Sequence, residues 1–236
     1  MKTRILGAAT AALAATALAA PAAQAVDGPD RIVGGSASTS SPGAAALHVI
    51  SPRTGQEVFG CSASMLSPTK VLTARHCTDG YQETHVRVGS LNRSSGGTKH
   101  NVASVVEHPS TDLAILTLAT PASGTKTVKL ATADPQVGET NTLYGWGRTA
   151  FESDSSPVLK QANVPVQGTN STPAYGGKGI KSGVGNGHAW KGDSGGPQFN
   201  AAGQQVGVCS IGGFGVYQVY VSVANYRSWI TSNAGL

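Results

Sequence analysis

An all-β protein is expected from this chain of 236 residues, with its strands closed into a barrel or stacked as a sandwich and not alternating with helices. Short apolar runs broken by Gly, Ser, Pro or Asn recur along the whole length, the spacing of antiparallel sheets. Charged residues are 12% of the chain, about half the usual ~25%. The 31 glycines well exceed the ~7% of an average chain, which suits a fold made largely of turns.

Strands are predicted over 45–50, 61–66, 85–88, 102–107, 113–118, 142–146, 161–166, 205–211 and 216–223. A further apolar strand ends in Leu72-Thr73, just before Ala74-Arg75-His76-Cys77. Only the C-terminus reads as helix, because Val223, Tyr226, Trp229 and Ile230 recur at three- and four-residue spacing. Residues 36–41 and 92–98 are small-residue loops. Asn92-Arg93-Ser94 and Asn170-Ser171-Thr172 match the N-glycosylation pattern, which says nothing about activity.

Lys2 and Arg4, the apolar run 5–20 and the small-residue site Ala23-Gln24-Ala25 form a secretory signal peptide over 1–25. The apolar run is too short to favour a membrane span, so no membrane association is expected once it is removed. Residues 26–31 read as a propeptide, and composition changes to that of a folded domain at Ile32, giving one domain over 32–236 and a secreted, extracellular protein. The net charge of +5 is scattered and not clustered, which argues against a nucleic-acid partner. Of the three cysteines, Cys61 and Cys77 are the expected disulfide. Closing a loop of about 15 residues is worth roughly 3 kcal/mol. Cys209 is then left over, as a small buried hydrophobe.

Ser194, in Gly192-Asp193-Ser194-Gly195-Gly196, is a candidate nucleophile. A serine hydroxyl needs a base within hydrogen-bond reach and a third group to orient that base. The stretch fits the G-x-S-x-G elbow of α/β-hydrolases, but there the histidine follows the serine. Here all six histidines precede Ser194. The subtilisin order needs an aspartate before the histidine, and none lies between Ile32 and His76. The surviving order is His, Asp, Ser. His76 stands where an apolar strand ends beside a cysteine, and Asp112 stands at the mouth of the run Leu113-Ala114-Ile115-Leu116. Asp79 is only three residues from His76, and Asp134 and Asp154 lie in plain turns.

Together with Ile32-Val33-Gly34-Gly35, Thr73-Ala74-Arg75-His76-Cys77, Gly145-Trp146-Gly147 and the final Trp229-Ile230, these segments resemble the chymotrypsin/trypsin-like serine peptidases, in the short form secreted by bacteria. The resemblance covers nearly all of 32–236. It implies two six-stranded antiparallel β-barrels with the active site in the cleft between them and a short C-terminal helix. It also implies His76 as base, Asp112 as its orienter and Ser194 as nucleophile, forming an acyl-enzyme. The N–H groups of Gly192 and Ser194 would form the oxyanion hole. Cleavage after Arg31 by an activating protease would free the Ile32 ammonium to pair with Asp193 and order the site. The expected protein is a monomeric zymogen acting on a protein or peptide substrate.

Two positions depart from the family. Trp190 stands where a cysteine usually clamps the specificity pocket, and its partner cysteine is also missing. His188 stands where trypsin-type members place the aspartate that binds Arg or Lys side chains. Specificity for Arg or Lys is therefore not expected. His188 with Gln218, and Lys191 at the rim, would suit an acidic or polar side chain; alternatively His188 fills the pocket and hydrogen-bonds to backbone. Ser210, Ile211 and Gly212 resemble the segment that pairs with the substrate backbone, and Gln218 replaces a small pocket-wall glycine and could narrow the pocket. No Cys/His spacing suggests zinc and no acidic cluster occupies 89–100, so neither metal nor cofactor is expected. A binding protein with an occluded pocket, or an esterase with weak peptidase activity, are the competing functions.

Overall fold

Short β-branched and apolar runs pair into two closed barrels in the computed structural model, which describes residues 32–236. The expected signal peptide (1–25) and propeptide (26–31, with Arg31) lie outside the described residues. A two-residue strand β1 (Ser36–Ala37) comes first. The first barrel contains β2 (Ala44–Ile50), β3 (Glu57–Ser67), β4 (Lys70–Thr73), β5 (Gln82–Val88), β6 (Thr98–Glu107) and β7 (Ala114–Leu118). It closes in the order β2-β3-β4-β7-β6-β5.

After the short β8 (Lys129–Leu130), the second barrel follows with β9 (Thr140–Gly145), β10 (Lys160–Ser171), β11 (Gly179–Gly183), β12 (Pro197–Phe199), β13 (Gln204–Gly213) and β14 (Tyr217–Ser222). Its order is β10-β11-β14-β13-β12-β9, and β9 pairs back to β10. Every pairing within the two barrels is antiparallel. β1 adds to β10, and β8 lies parallel to β13.

The period of two that marks a half-buried strand is plain in β10, where Ala162, Val164 and Val166 are buried and Asn163 and Gln167 exposed. Leu47, Met65, Leu72, Ile115 and Leu116 are fully buried in the first barrel, each worth about 1.5–3 kcal/mol of burial. The same cluster takes in Val208, Val221, Val223 and Ile230, so the barrels and the helix share one apolar mass. A second cluster joins Ile32 to Leu143, Val164, Cys209 and Tyr220.

Each predicted strand is present, several of them longer than expected. β3 reaches back to Glu57 and β10 runs on to Ser171, through polar residues that the ladder holds irrespective of their composition. β11 and β12 are absent from the sequence expectation, because Gly179–Gly183 and Pro197–Phe199 carry no apolar run. Five consecutive partners on β14 make the first a strand, and β13 makes the second.

The predicted helix is α1 (Val223–Ala234). The Ser222 hydroxyl caps it, accepting from the Asn225 N–H at 3.1 Å, and Asp134 accepts in turn from the Asn225 amide at 2.8 Å. Its partly buried Tyr226 and Trp229 pack edge-on around His108, at ring-centroid distances of 5.1 and 4.9 Å. Cys61 and Cys77 form a disulfide, and Cys209 is free and buried.

Candidate active site

His76 sits on a single 3-10 turn (Arg75–Cys77) at the end of β4, tied to β3 by the Cys61–Cys77 bond. Asp112 sits in the turn between β6 and β7 and has no exposed surface. A carboxylate so buried must be paired or hydrogen-bonded. Asp112 has three donors: the His76 backbone N–H on Oδ1 at 2.8 Å, His76 Nδ1 on Oδ2 at 2.7 Å, and the Ser210 hydroxyl on Oδ2 at 2.6 Å. The imidazole is thereby held with Nδ1 toward Asp112, which leaves Nε2 to face the cleft.

Arg75 fixes the turn that carries Asp112. Its Nη1 donates to the carbonyls of His108 and Pro109, both at 3.3 Å, and its Nε stands 3.3 Å from Glu107. The Thr111 hydroxyl anchors the same turn to the Gly176 carbonyl across the cleft, at 2.8 Å. Tyr175 lies 4.4 Å under the Arg75 guanidinium and donates to Asp79 at 3.0 Å. Sequence reasoning does not single out Arg75, Thr111 and Tyr175, since they act through contacts distant in the chain that leave no local pattern.

Ser194 follows a turn whose backbone is locked from below. The Gly192 carbonyl accepts from the N–H and hydroxyl of Ser62, at 3.1 and 3.0 Å. The Ser194 carbonyl accepts from the same N–H at 2.9 Å. With both carbonyls turned inward, the N–H groups of Gly192 and Ser194 have no partner among the described residues. Gly192 has φ +98°, a left-handed conformation that favours glycine.

Asp193 is buried, accepting from the N–H of Gly147 at 2.8 Å and of Trp190 at 2.9 Å. Burial pushes its carboxyl up to about 7, against the partial relief of those two N–H groups. Gly147 is glycine for lack of room, since a Cβ there would fall 2.2 Å from the Asp193 carboxylate.

Two cavities meet at Ser194. One, of about 280 Å³, is lined by Ala189, Trp190, Lys191, Ser194, Cys209, Ser210, Ile211, Gly212 and Gln218. It is open, and no carboxylate lines it. Gln218 is buried in its wall, accepting from the Ala189 N–H and donating to the Gly183 carbonyl, both at 2.7 Å.

His188 is not among the lining residues. It is 4% exposed, its Nε2 accepts from the Gly215 N–H at 3.0 Å, and burial holds its pKa below the usual imidazole value. Of the two settings expected for His188, this is the one in which the imidazole bonds to backbone. The other cavity, of about 620 Å³, runs from Ser194, Gly192 and Lys191 past His76 and the disulfide to Val58 and Phe59.

An aromatic cluster stands where the sequence lacks the pocket disulfide. Trp190 stacks on Phe151 at 5.6 Å and meets the edge of Phe214 at 4.9 Å, and Phe214 in turn meets His188 at 5.0 Å. Such pairs are worth about 0.5–1.5 kcal/mol each beyond the area they bury. The Trp190 N–H to Asp193 is backbone and survives truncation. Trp190→Ala is therefore expected to raise KM about tenfold with little change in kcat and to lower Tm by several degrees, checked by steady-state kinetics and calorimetry.

The trypsin family model matches residues 32–230. Trypsin gamma and trypsin delta of Drosophila melanogaster are each 34% identical to the chain over 230 residues, covering 86% of it and 88% of their own length. Trypsin beta of Drosophila erecta is 33% identical over the same shares. A crystal structure of the scabies mite inactivated protease paralogue S-D1 aligns with a TM-score of 0.73 and 24% identity, covering 86% of this chain and 97% of that one. At that identity the likeness is one of fold alone, and since that paralogue is an inactivated protease, the fold does not guarantee turnover.

Proposed function

Because the chain belongs to the trypsin family of serine peptidases, we propose that Ser194 is its nucleophile and that it cleaves peptide bonds after an uncharged side chain held in the 280 Å³ cavity. One observation carries this reading: Ser194 stands where that cavity meets the one containing His76, beside the unpartnered N–H groups of Gly192 and Ser194 itself. Ser210 also approaches Asp112, but its hydroxyl donates to the carboxylate and accepts from the Ala174 N–H at 3.0 Å. It is on the Nδ1 side of His76, so it supports Asp112 and cannot hand a proton to Nε2.

In the proposed reaction Ser194 Oγ attacks the carbonyl while His76 Nε2 takes its proton, and the two free N–H groups bind the oxyanion. His76 then protonates the leaving amine, and water repeats the sequence on the acyl-enzyme. Asp112 keeps the imidazole oriented and stabilises its cation throughout. The pocket wall contains Gln218 and Ala189 and no carboxylate, which disfavours Arg and Lys.

The reading extends to a secreted monomeric zymogen of the short bacterial type, cleaved after Arg31 by another protease. Ile32 is fully buried with φ +43°, a costly conformation for a β-branched residue. Cutting the Arg31–Ile32 bond removes the constraint that defines that angle. A fluorophosphonate probe should label the processed chain and not its Ser194→Ala variant, and cleavage of a mixed-peptide library should show few products ending in Arg or Lys. No labelling of the processed chain would refute the peptidase reading.

A further inference from the structure

A third cavity, of about 580 Å³, lies between the two barrels on the far side of Phe59 from Ser194. Its cations come from both barrels: Arg87 on β5, Arg93 in the following loop, Lys99 on β6 and Arg148 after β9. Two carboxylates face them. Glu57 is engaged by Lys99 at 3.5 Å and by His85 at 3.2 Å, and Asp154 acts on Arg93 through space but makes no ion pair among the described residues. Four fixed cations against two carboxylates leave the cavity positive, and the Arg148 guanidinium has no partner among the described residues.

Behind its wall lie polar atoms that are buried and without a hydrogen-bond partner among the described residues: Arg87 Nε, His48 Nδ1 and His85 Nε2. His48 and His85 are 7% and 3% exposed and stack across β2 and β5 at 4.2 Å. Burial keeps both imidazoles neutral near pH 7, His48 at about 4. The His85 Nδ1 faces Glu57 at 3.2 Å, which leaves its Nε2 with the lone pair. The excess of guanidinium and ammonium groups, with Arg148 unpaired, calls for a ligand that brings several negative charges. An acidic peptide supplies several carboxylates along one chain, matching cations spread over both barrels; an inorganic anion supplies a single charged centre.

The cavity is continuous with the catalytic cleft. Val58 and Phe59 line both, and the Phe59 ring packs so close to Gly192 that a Cβ there would stand 3.3 Å from it. His76 protonates the leaving amine, so the leaving half of the substrate lies in the cleft that ends at Phe59. We propose that this basic cavity is an exosite for an acidic segment of the protein substrate, several residues C-terminal to the scissile bond. The location on the leaving-group side rests on Ser194 being the nucleophile; the affinity for acidic peptide does not.

Two measurements test it. Peptides sharing one cleavage site, with an Asp/Glu triplet placed two to eight residues downstream, are compared with Gln-triplet controls. At one spacing or more the acidic peptide should show about tenfold higher kcat/KM at low salt, mainly through KM, with the gain lost in 0.5 M NaCl. The double variant Arg87→Gln/Arg148→Gln should lose the gain while cleaving a short peptide that ends just after the scissile bond at the wild-type rate. Equal kcat/KM for acidic and Gln peptides at every spacing overturns the proposal.

The second measurement needs no turnover: fluorescence anisotropy of a labelled acidic dodecapeptide with the Ser194→Ala protein. Binding at least tenfold weaker in the Arg87→Gln/Arg148→Gln background supports the exosite. Equal binding of the Gln control, or binding of a heparin fragment but not of the acidic peptide, overturns it. Loss of short-peptide turnover in the wild-type protein with peptide binding intact would instead count against Ser194 as nucleophile.

Discussion

Ser194→Ala is expected to lower kcat by about 10⁶-fold, the scale seen when a serine peptidase loses its nucleophile, while leaving Tm within about a degree. Ser210→Ala is the control that separates the two serines near Asp112. It removes one of three donors to that carboxylate, a charge-assisted bond worth about 1.5–3 kcal/mol. Its kcat/KM should therefore fall about 10- to 100-fold, and fluorophosphonate labelling should persist. If Ser210→Ala abolished labelling and Ser194→Ala did not, the assignment would be reversed.

Asp193→Asn should act with opposite signs in the two forms of the chain. In the processed form a free Ile32 ammonium would lose its carboxylate, and breaking a buried pair costs about 3–5 kcal/mol. Activity should fall by 100-fold or more although Ser194 is untouched.

In an uncleavable Arg31→Gln chain there is no ammonium, and the carboxyl is pushed from 3.8 to about 7 by burial. The folded state then holds a proton that the unfolded state has released, so stability falls as pH rises from about 4 to about 7. The full loss is about 4 kcal/mol. Asn at 193 has no charge to bury. Arg31→Gln/Asp193→Asn should thus be more stable than Arg31→Gln alone at pH 8, with the gap closing by pH 4, as measured by urea unfolding. A gap that stays constant with pH would show that Asp193 is not burdened by its burial.

The strands with apolar runs, the helix 223–234 and the cystine were legible because each has a local cause: alternation, three-to-four spacing, or a short loop between two cysteines. β11 and β12 were not legible, since their residues become strands only through the partners that β13 and β14 offer. Chain order left only the His-Asp-Ser arrangement before any geometry, and the family resemblance pointed to His76, Asp112 and Ser194 as its candidates. Arg75, Thr111 and Tyr175 were not, although they hold the Asp112 turn, because each contacts a segment at least 30 residues away.

Trp190 and His188 divide along the same line. That the pocket has neither the family's usual disulfide nor its usual aspartate follows from residue identity, which settles which covalent bonds and charges are possible. What stands in their place follows from packing. Trp190 finds Phe151 and Phe214, His188 turns to the Gly215 backbone, and Gln218 forms the pocket wall. Ring stacking and burial depend on which distant segments are brought together, and the closing of the two barrels sets that.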